Sequence, residues 1–259
     1  MKTVILAGGF GTRIRDVTND IPKPMIPIGN YPILWHIMKG YAQYGIKDFV
    51  LCLGYKSEVI KDYFLNYQHR RSDFTLDLGT HEIEQHTRSI SEDWRITFAE
   101  TGLSAQTGAR IFKVKKYIEK EDCFLLTYGD GVGNVNISEL IKFHKSHGKI
   151  MTITGGHPPG RFGELETDGN QVVGFNEKPQ VTEGWISAGF FVCNREVLDY
   201  LTPEDDLIFE KTPIESIVKD GQMMVYKHEG FWHPMDTSRD YQLLNQLWTQ
   251  DKAPWKTWK

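Results

Sequence analysis

Cysteine is scarce in this chain: three in 259 residues, Cys52, Cys123 and Cys193, each set in its own apolar run. That spacing fits neither a zinc cluster nor a disulfide framework, and it reads as three reduced core thiols. A basic excess is missing as well. Thirty Lys and Arg face 34 Asp and Glu, for a formal net charge of −4, whereas proteins that grip a phosphate backbone carry the opposite balance. Nucleic acid is therefore not an expected partner. No apolar stretch approaches the roughly 18 residues that span a bilayer. The first apolar run, Val4 to Ala7, has no charged leader and is cut at once by glycine, so the expectation is a cytoplasmic protein without a membrane partner. Internal repeats, heptads and low-complexity tracts are also lacking. What is present is core material, 40% apolar residues with 12% aromatics.

Those apolar residues come in short runs, each followed by helical periodicity: "TVILAG" then "PILWHIMKGYAQYG", "DFVLCLGY" then "KSEVIKDYFLNY", "CFLLTYGD" then "ISELIKFHKSHG". Strand followed by helix, repeated, predicts an α/β protein with a parallel sheet flanked by helices. Pro32 and Gly45 punctuate the first helix. Residues 69–93, with the alternating "HEIEQH", break the rhythm and read as a β excursion, a hairpin rather than a domain boundary. After Gly155 the chain turns strand-rich, with "QVVGFNEKP" and "ISAGFFVCN", before helices expected near 207–220 and 238–250.

The stretch "VILAGGFGTR", Val4 to Arg13, runs a buried-looking strand into Gly8, Gly9 and Gly11. Glycines there let backbone N–H groups approach an anion, or simply make a tight strand-to-helix turn. A P-loop would end in Gly-Lys-Ser/Thr, and a dinucleotide fingerprint would place a third glycine where Ile14 stands, so both fail. Downstream, "IPKPM" sets Lys23 between two prolines, a stiff arm suited to a phosphoryl group or a lysine in a proline-bent surface loop. Zinc chemistry is not expected, because His81 and His86 are five apart and the H-E-x-x-H helix motif needs four. His144 and His147, on a polar helix, read as solvated.

"LAGGFGTR" followed by "PKPM" resembles the signature of the sugar-phosphate nucleotidyltransferases, which join a nucleoside triphosphate to a sugar 1-phosphate and release pyrophosphate. "PILWHIMKGYAQYGIKDF", "TYGDGV", "PPGRFG", "NEKP", "GFFVCN", "FWHPMDT" and "KAPWKTW" are similar to the branch of that family that uses CTP and glucose 1-phosphate, so the resemblance covers nearly the whole chain. It implies a Rossmann-like, GT-A-like fold with a mixed, mostly parallel sheet. One domain would cover 1–259, its nucleotide part about 1–150 and its sugar-phosphate part about 151–259. It also implies Mg²⁺, a homohexamer with sites near subunit contacts, and nucleotide-sugar supply for O-antigen or another surface polysaccharide. Trp255 and Trp258, exposed-looking in the tail, are compatible with such a contact.

The resemblance assigns nucleotide binding to Leu6, Ala7, Gly8, Gly9, Gly11, Thr12, Arg13, Lys23, Thr101, Gly102, Thr107, Arg110 and Gly129. Sugar-phosphate binding falls to Tyr128, Gly163, Glu177, Lys178, Ser187 and Gly189, the metal to Asp130 and Asp236, and the catalytic roles to Arg13, Lys23 and Asp130. Read without it, Asp130 is also a candidate Asp-Gly turn residue and Asp236 a candidate helix N-cap. Glu177 and Lys178 could form a surface ion pair, and Arg110 could be a solvated arginine on a helix. The branch's pattern has Asn-Gly-Gly before "FFV", where this chain has Ser187, Ala188 and Gly189, and Ala where it has Glu164. Those departures bear on which sugar fits. A different sugar 1-phosphate, another nucleotide base, or a catalytically silent nucleotide-sugar sensor are the competing readings.

Overall fold

A computed structural model describes residues 1–11, 14, 21–87, 92–157, 164–168, 171–176 and 184–258, with backbone alone for 164–168 and 171–176. The expected alternation is present. Strand β1 (Lys2–Leu6) is followed by the short antiparallel pair β2 (Pro27–Ile28) and β3 (Tyr31–Pro32), and then by α1 (Ile33–Ala42), which starts on Pro32. Next come β4 (Asp48–Leu53) and α2 (Ser57–Leu65). The excursion is a hairpin of β5 (Phe74–Leu76) and β6 (Ile83–Gln85), with Thr75 opposite Glu84. Strand β7 (Arg95–Glu100) leads to α3 (Thr107–Lys113) and α4 (Lys115–Ile118), and β8 (Cys123–Tyr128) to β9 (Gly131–Gly133) and α5 (Ile137–His147). The strand-rich part holds β10 (Met151–Gly156), β11 (Glu164–Asp168), β12 (Gln171–Asn176) and β13 (Ile186–Asn194). The chain closes with α6 (Thr212–Lys219), β14 (Met223–Lys227), β15 (Trp232–Pro234) and α7 (Ser238–Thr249).

Seven strands form the central sheet in the order β14-β10-β13-β8-β1-β4-β7. Strand β13 runs antiparallel to both neighbours, while the other pairs are parallel, so the sheet is mixed and mostly parallel as expected. Strand β1 lies between β4 and β8, with Leu6 beside Cys52 and Tyr128. The chain runs outward from β1 through β4 to β7 and then returns to β8 on the other side of β1, so the strand order reverses at β1 and a crevice opens at the carboxyl ends of β1, β4 and β8. Alternation along the strands feeds two cores. Ile5, Leu51 and Leu125 pack on one face with Ile33, Ile37 and Met38 of α1, and Val4, Val50 and Leu126 pack on the other with Ile111 and Ile217.

Four expectations change. The helix expected over 207–220 is confined to α6, because residues 205–209 bond to the start of α3 instead: Gln106 N–H donates to Asp205 O at 2.8 Å and Gly108 N–H to Leu207 O at 2.9 Å. His144 is buried, not solvated, with its ring nitrogens 2.8 Å from Thr152 Oγ1 and 2.8 Å from Asn194 Oδ1, and His147 reaches the same Thr152 hydroxyl at 2.7 Å. Trp255 is 1% exposed, in an aromatic cluster with Phe231, Trp248 and His36, and Trp258 packs near Trp35. These tail aromatics thus cover their own chain. The cysteines are free, but Cys123 is only partly buried.

Candidate active site

Three backbone segments meet at the carboxyl edge of β1. Gly129 N–H donates to Leu6 O at 3.0 Å, Tyr55 N–H to Gly8 O at 3.1 Å, and Lys23 begins a 3₁₀ turn, Lys23–Met25, whose stem lies against Gly11. Together they form a cleft lined by Leu6, Ala7, Gly9, Gly11, Ile14, Lys23, Pro24, Gly129 and Asp130.

The three glycines have three different reasons. A Cβ on Gly8 would sit 2.2 Å from Arg110 Nη1, so a side chain cannot fit. Gly11 has φ +59°, and a Cβ there would stand 2.9 Å from Lys23 Cβ. A Cβ on Gly9 would meet nothing within 4 Å. Gly9 is therefore the glycine that leaves room at the backbone, while Gly8 and Gly11 are required by neighbouring parts of the protein.

In the cleft, Lys23 Nζ lies 2.6 Å from Asp130 Oδ2 and 2.6 Å from Asp236 Oδ1. Burial pulls the Lys23 ammonium down, the two carboxylates more than offset it, and its pKa ends above the ordinary lysine value. It stays charged. Residues 106 positions apart meet because β9 and β15 pair antiparallel, with Gly131 opposite Pro234, and because Met235 N–H donates to Asp130 O at 2.8 Å. Asp130 therefore leaves the main sheet into this small ladder and does not turn a hairpin. Nor is Asp236 the N-cap of α7. That residue is Thr237, in a capping box with Asp240, whose Oδ2 also accepts from Asp236 N–H at 3.0 Å. His233 Nε2 lies 3.0 Å from Asp240 Oδ1. Burial pushes the Asp240 carboxyl up, but His233 and Thr237 hold it down at about 2.

Arg110 is not a solvated arginine on its helix. It is 5% exposed, and its guanidinium faces protein groups instead of the cleft. It donates to the carbonyls of Gly8, Leu53 and Gly102 at 3.0 Å each and to Thr101 Oγ1 at 2.6 Å, drawing together the ends of β1, β4 and β7. Thr101, also assigned to the nucleotide, is 1% exposed and donates to Leu53 O at 2.6 Å, so its hydroxyl belongs to the same brace. The Thr107 hydroxyl is likewise engaged, donating to Glu210 Oε2 at 2.6 Å and accepting from Phe209 N–H at 2.9 Å.

On the sugar side, Tyr128 lies close against Gly189, whose φ is +78° and whose Cβ would stand 2.5 Å from the ring. The Tyr128 hydroxyl donates to Glu210 Oε1. Ser187 is exposed, Ala188 is buried, and the Glu164 backbone pairs with Asn176 in the β11–β12 hairpin. Thr12, Arg13, Gly163, Glu177 and Lys178 lie outside the described residues. Glu210 and Asp240 went unnoticed in the sequence. Asp240 carried a signal, the Thr-x-x-Asp spacing ahead of α7, but Glu210 carried none.

A glycine turn, a charged lysine and two carboxylates gather at the switch point of an α/β sheet. The model of the nucleotidyl transferase family matches residues 2–250, and the chain belongs to that family. It is 48% identical over 259 residues, 100% of both chains, to the glucose-1-phosphate cytidylyltransferase of Salmonella typhi. Among solved structures, HddC from Yersinia pseudotuberculosis superposes with a TM-score of 0.68 at 23% identity, over 95% of this chain and 99% of that one. The inositol-1-phosphate CTP transferase from T. maritima gives 0.63 at 17%, over 95% of each. At those identities the likeness is one of fold.

Proposed function

We propose that this nucleotidyltransferase joins CTP to α-D-glucose 1-phosphate, giving CDP-glucose and pyrophosphate. The full-length identity to a protein of that name supports the substrates. The observation that carries the chemistry is the Asp130–Lys23–Asp236 arrangement, a place already built for one positive charge between two carboxylates.

Two carboxylates are what Mg²⁺ takes from a protein when phosphate and water oxygens complete its shell. No group of three or more His, Cys, Asp and Glu gathers among the described residues. Asp130 and Asp236 would hold the ion. Mg²⁺ bound there supplies charge neutralisation at the phosphate oxygens.

An oxygen of the glucose 1-phosphate attacks the α-phosphorus of CTP in line, the bond to the bridging oxygen breaks, and pyrophosphate leaves. A phosphate oxygen is a nucleophile at neutral pH, so the chain needs no general base. Lys23 stabilises the charge that develops on the α-phosphate, and Arg13 and the backbone from Leu6 to Thr12 hold the triphosphate. Arg110, Thr101 and Gly102 shape that backbone from behind. Lys178 holds the sugar phosphate and Glu177 a sugar hydroxyl, with Tyr128, Gly163, Ser187 and Gly189 around the ring. The reading extends to one domain over the whole chain, a cytoplasmic homohexamer, and CDP-glucose supplied to O-antigen or another surface polysaccharide.

A panel of CTP, UTP, dTTP, ATP and GTP, each with glucose 1-phosphate and Mg²⁺, tests the base. Pyrophosphate release is expected to favour CTP over UTP by roughly a hundredfold, the scale of discrimination between near-isosteric ligands. Equal rates with UTP would overturn the cytidine assignment. Activity with CTP only when another sugar phosphate replaces glucose would move specificity to Ser187, Ala188 and Glu164. CTP binding with no turnover of any pair would favour the sensor.

A further inference from the structure

Glu210 is exposed on the loop before α6, yet its two carboxylate oxygens serve two other elements. Oε1 accepts from the Tyr128 hydroxyl, and Oε2 accepts from Thr107 Oγ1 at 2.6 Å. Tyr128 ends β8 two residues before Asp130, and Thr107 begins α3. The loop is sewn to α3 by further bonds, Phe209 N–H to Thr107 Oγ1 at 2.9 Å and Gly108 N–H to Leu207 O at 2.9 Å. Its own position is therefore determined. The tyrosine ring is held on its other side by Gly189, where no side chain would fit, and by Phe191, whose ring centroid is 5.9 Å away.

A phenol has one proton to donate and lone pairs to accept with. That one proton is given to Glu210 Oε1. What the tyrosine can still offer a ligand is acceptance. We propose that Glu210 is a positioning residue for the sugar-phosphate side of the site: it takes the Tyr128 proton donor, so that the phenol oxygen can accept only from a hydroxyl of the sugar. This rests on the reading of Tyr128 as part of the sugar subsite.

Steady-state kinetics with CTP and glucose 1-phosphate test it on Glu210→Ala, Glu210→Gln, Tyr128→Phe and the Glu210→Ala/Tyr128→Phe double variant. Glu210→Ala is expected to raise the KM for glucose 1-phosphate about tenfold, the cost of one hydrogen bond to a group left unfixed, with the KM for CTP and the Tm near wild type. Tyr128→Phe should match it, and the double variant should be no worse than either single one, because both remove the same contact. Glu210→Gln should recover most of the affinity, since its amide oxygen still accepts from the phenol. Equal rises in both KM values, a lowered Tm in parallel, or additive single effects would assign Glu210 a structural role and overturn the proposal. A wild-type enzyme that does not turn over CTP with glucose 1-phosphate would instead defeat the functional reading, before any variant is compared.

Discussion

Asp130→Asn lowers the rate of pyrophosphate release by roughly a thousandfold or more, the scale seen when one preorganised charge-stabilising group is lost, and leaves the fold intact. Asparagine keeps the shape and one carbonyl oxygen but removes the charge. Lys23 then faces Asp236 as its remaining carboxylate of the pair, and the place built for a cation between two anions loses half of its attraction. The backbone bond from Met235 N–H to Asp130 O does not involve the side chain, so the β9–β15 ladder persists. Near-wild-type rates would remove Asp130 from the metal and from catalysis together. Activity is measured as pyrophosphate release, and folding by thermal unfolding of the same preparation.

The second large effect is on stability. Arg110→Met removes donors from the carbonyls of Gly8, Leu53 and Gly102 and from the Thr101 hydroxyl, all at the buried junction of three strands. Gly8 O keeps the Tyr55 N–H and Leu53 O keeps Thr101, so the acceptors that lose their donor are Gly102 O and Thr101 Oγ1, at about 1–3 kcal/mol each. Relief of the buried charge, which burial already disfavours, offsets part of the loss. A net loss of about 3 kcal/mol is expected in urea unfolding. Arg110→Lys should restore little, because an ammonium cannot reproduce the planar fork that reaches acceptors on separate strands. A change below about 0.5 kcal/mol, ordinary for an unimportant surface site, would show that the brace is not what holds the three strand ends.

The alternation of apolar runs and helical periodicity made the β1, β4 and β8 units and their helices legible, since each depends on neighbouring residues. The hairpin at 74–85 and α7 were legible for the same reason. Pairings between distant segments were not. The β9–β15 ladder joins two three-residue strands about 100 positions apart, too short to show a period, and it is what brings Asp236 to Asp130. Helix α6 was read too long because an apolar run at 207–209 has the helical spacing but gives its backbone groups to α3. Trp255 looked exposed in a polar tail, and its partners Phe231 and Trp248 come from other elements. At the site, what the sequence did not show is that Gly8 makes room for the Arg110 guanidinium beneath it, because the two residues lie 102 positions apart.

The most direct measurement follows the fate of the α-phosphate. With α-phosphate-labelled CTP, glucose 1-phosphate and Mg²⁺, the label is expected to appear in a product that co-migrates with CDP-glucose, with one pyrophosphate released per product formed. Label that stays in CTP despite binding, or that ends in CMP, would contradict transfer to the sugar phosphate.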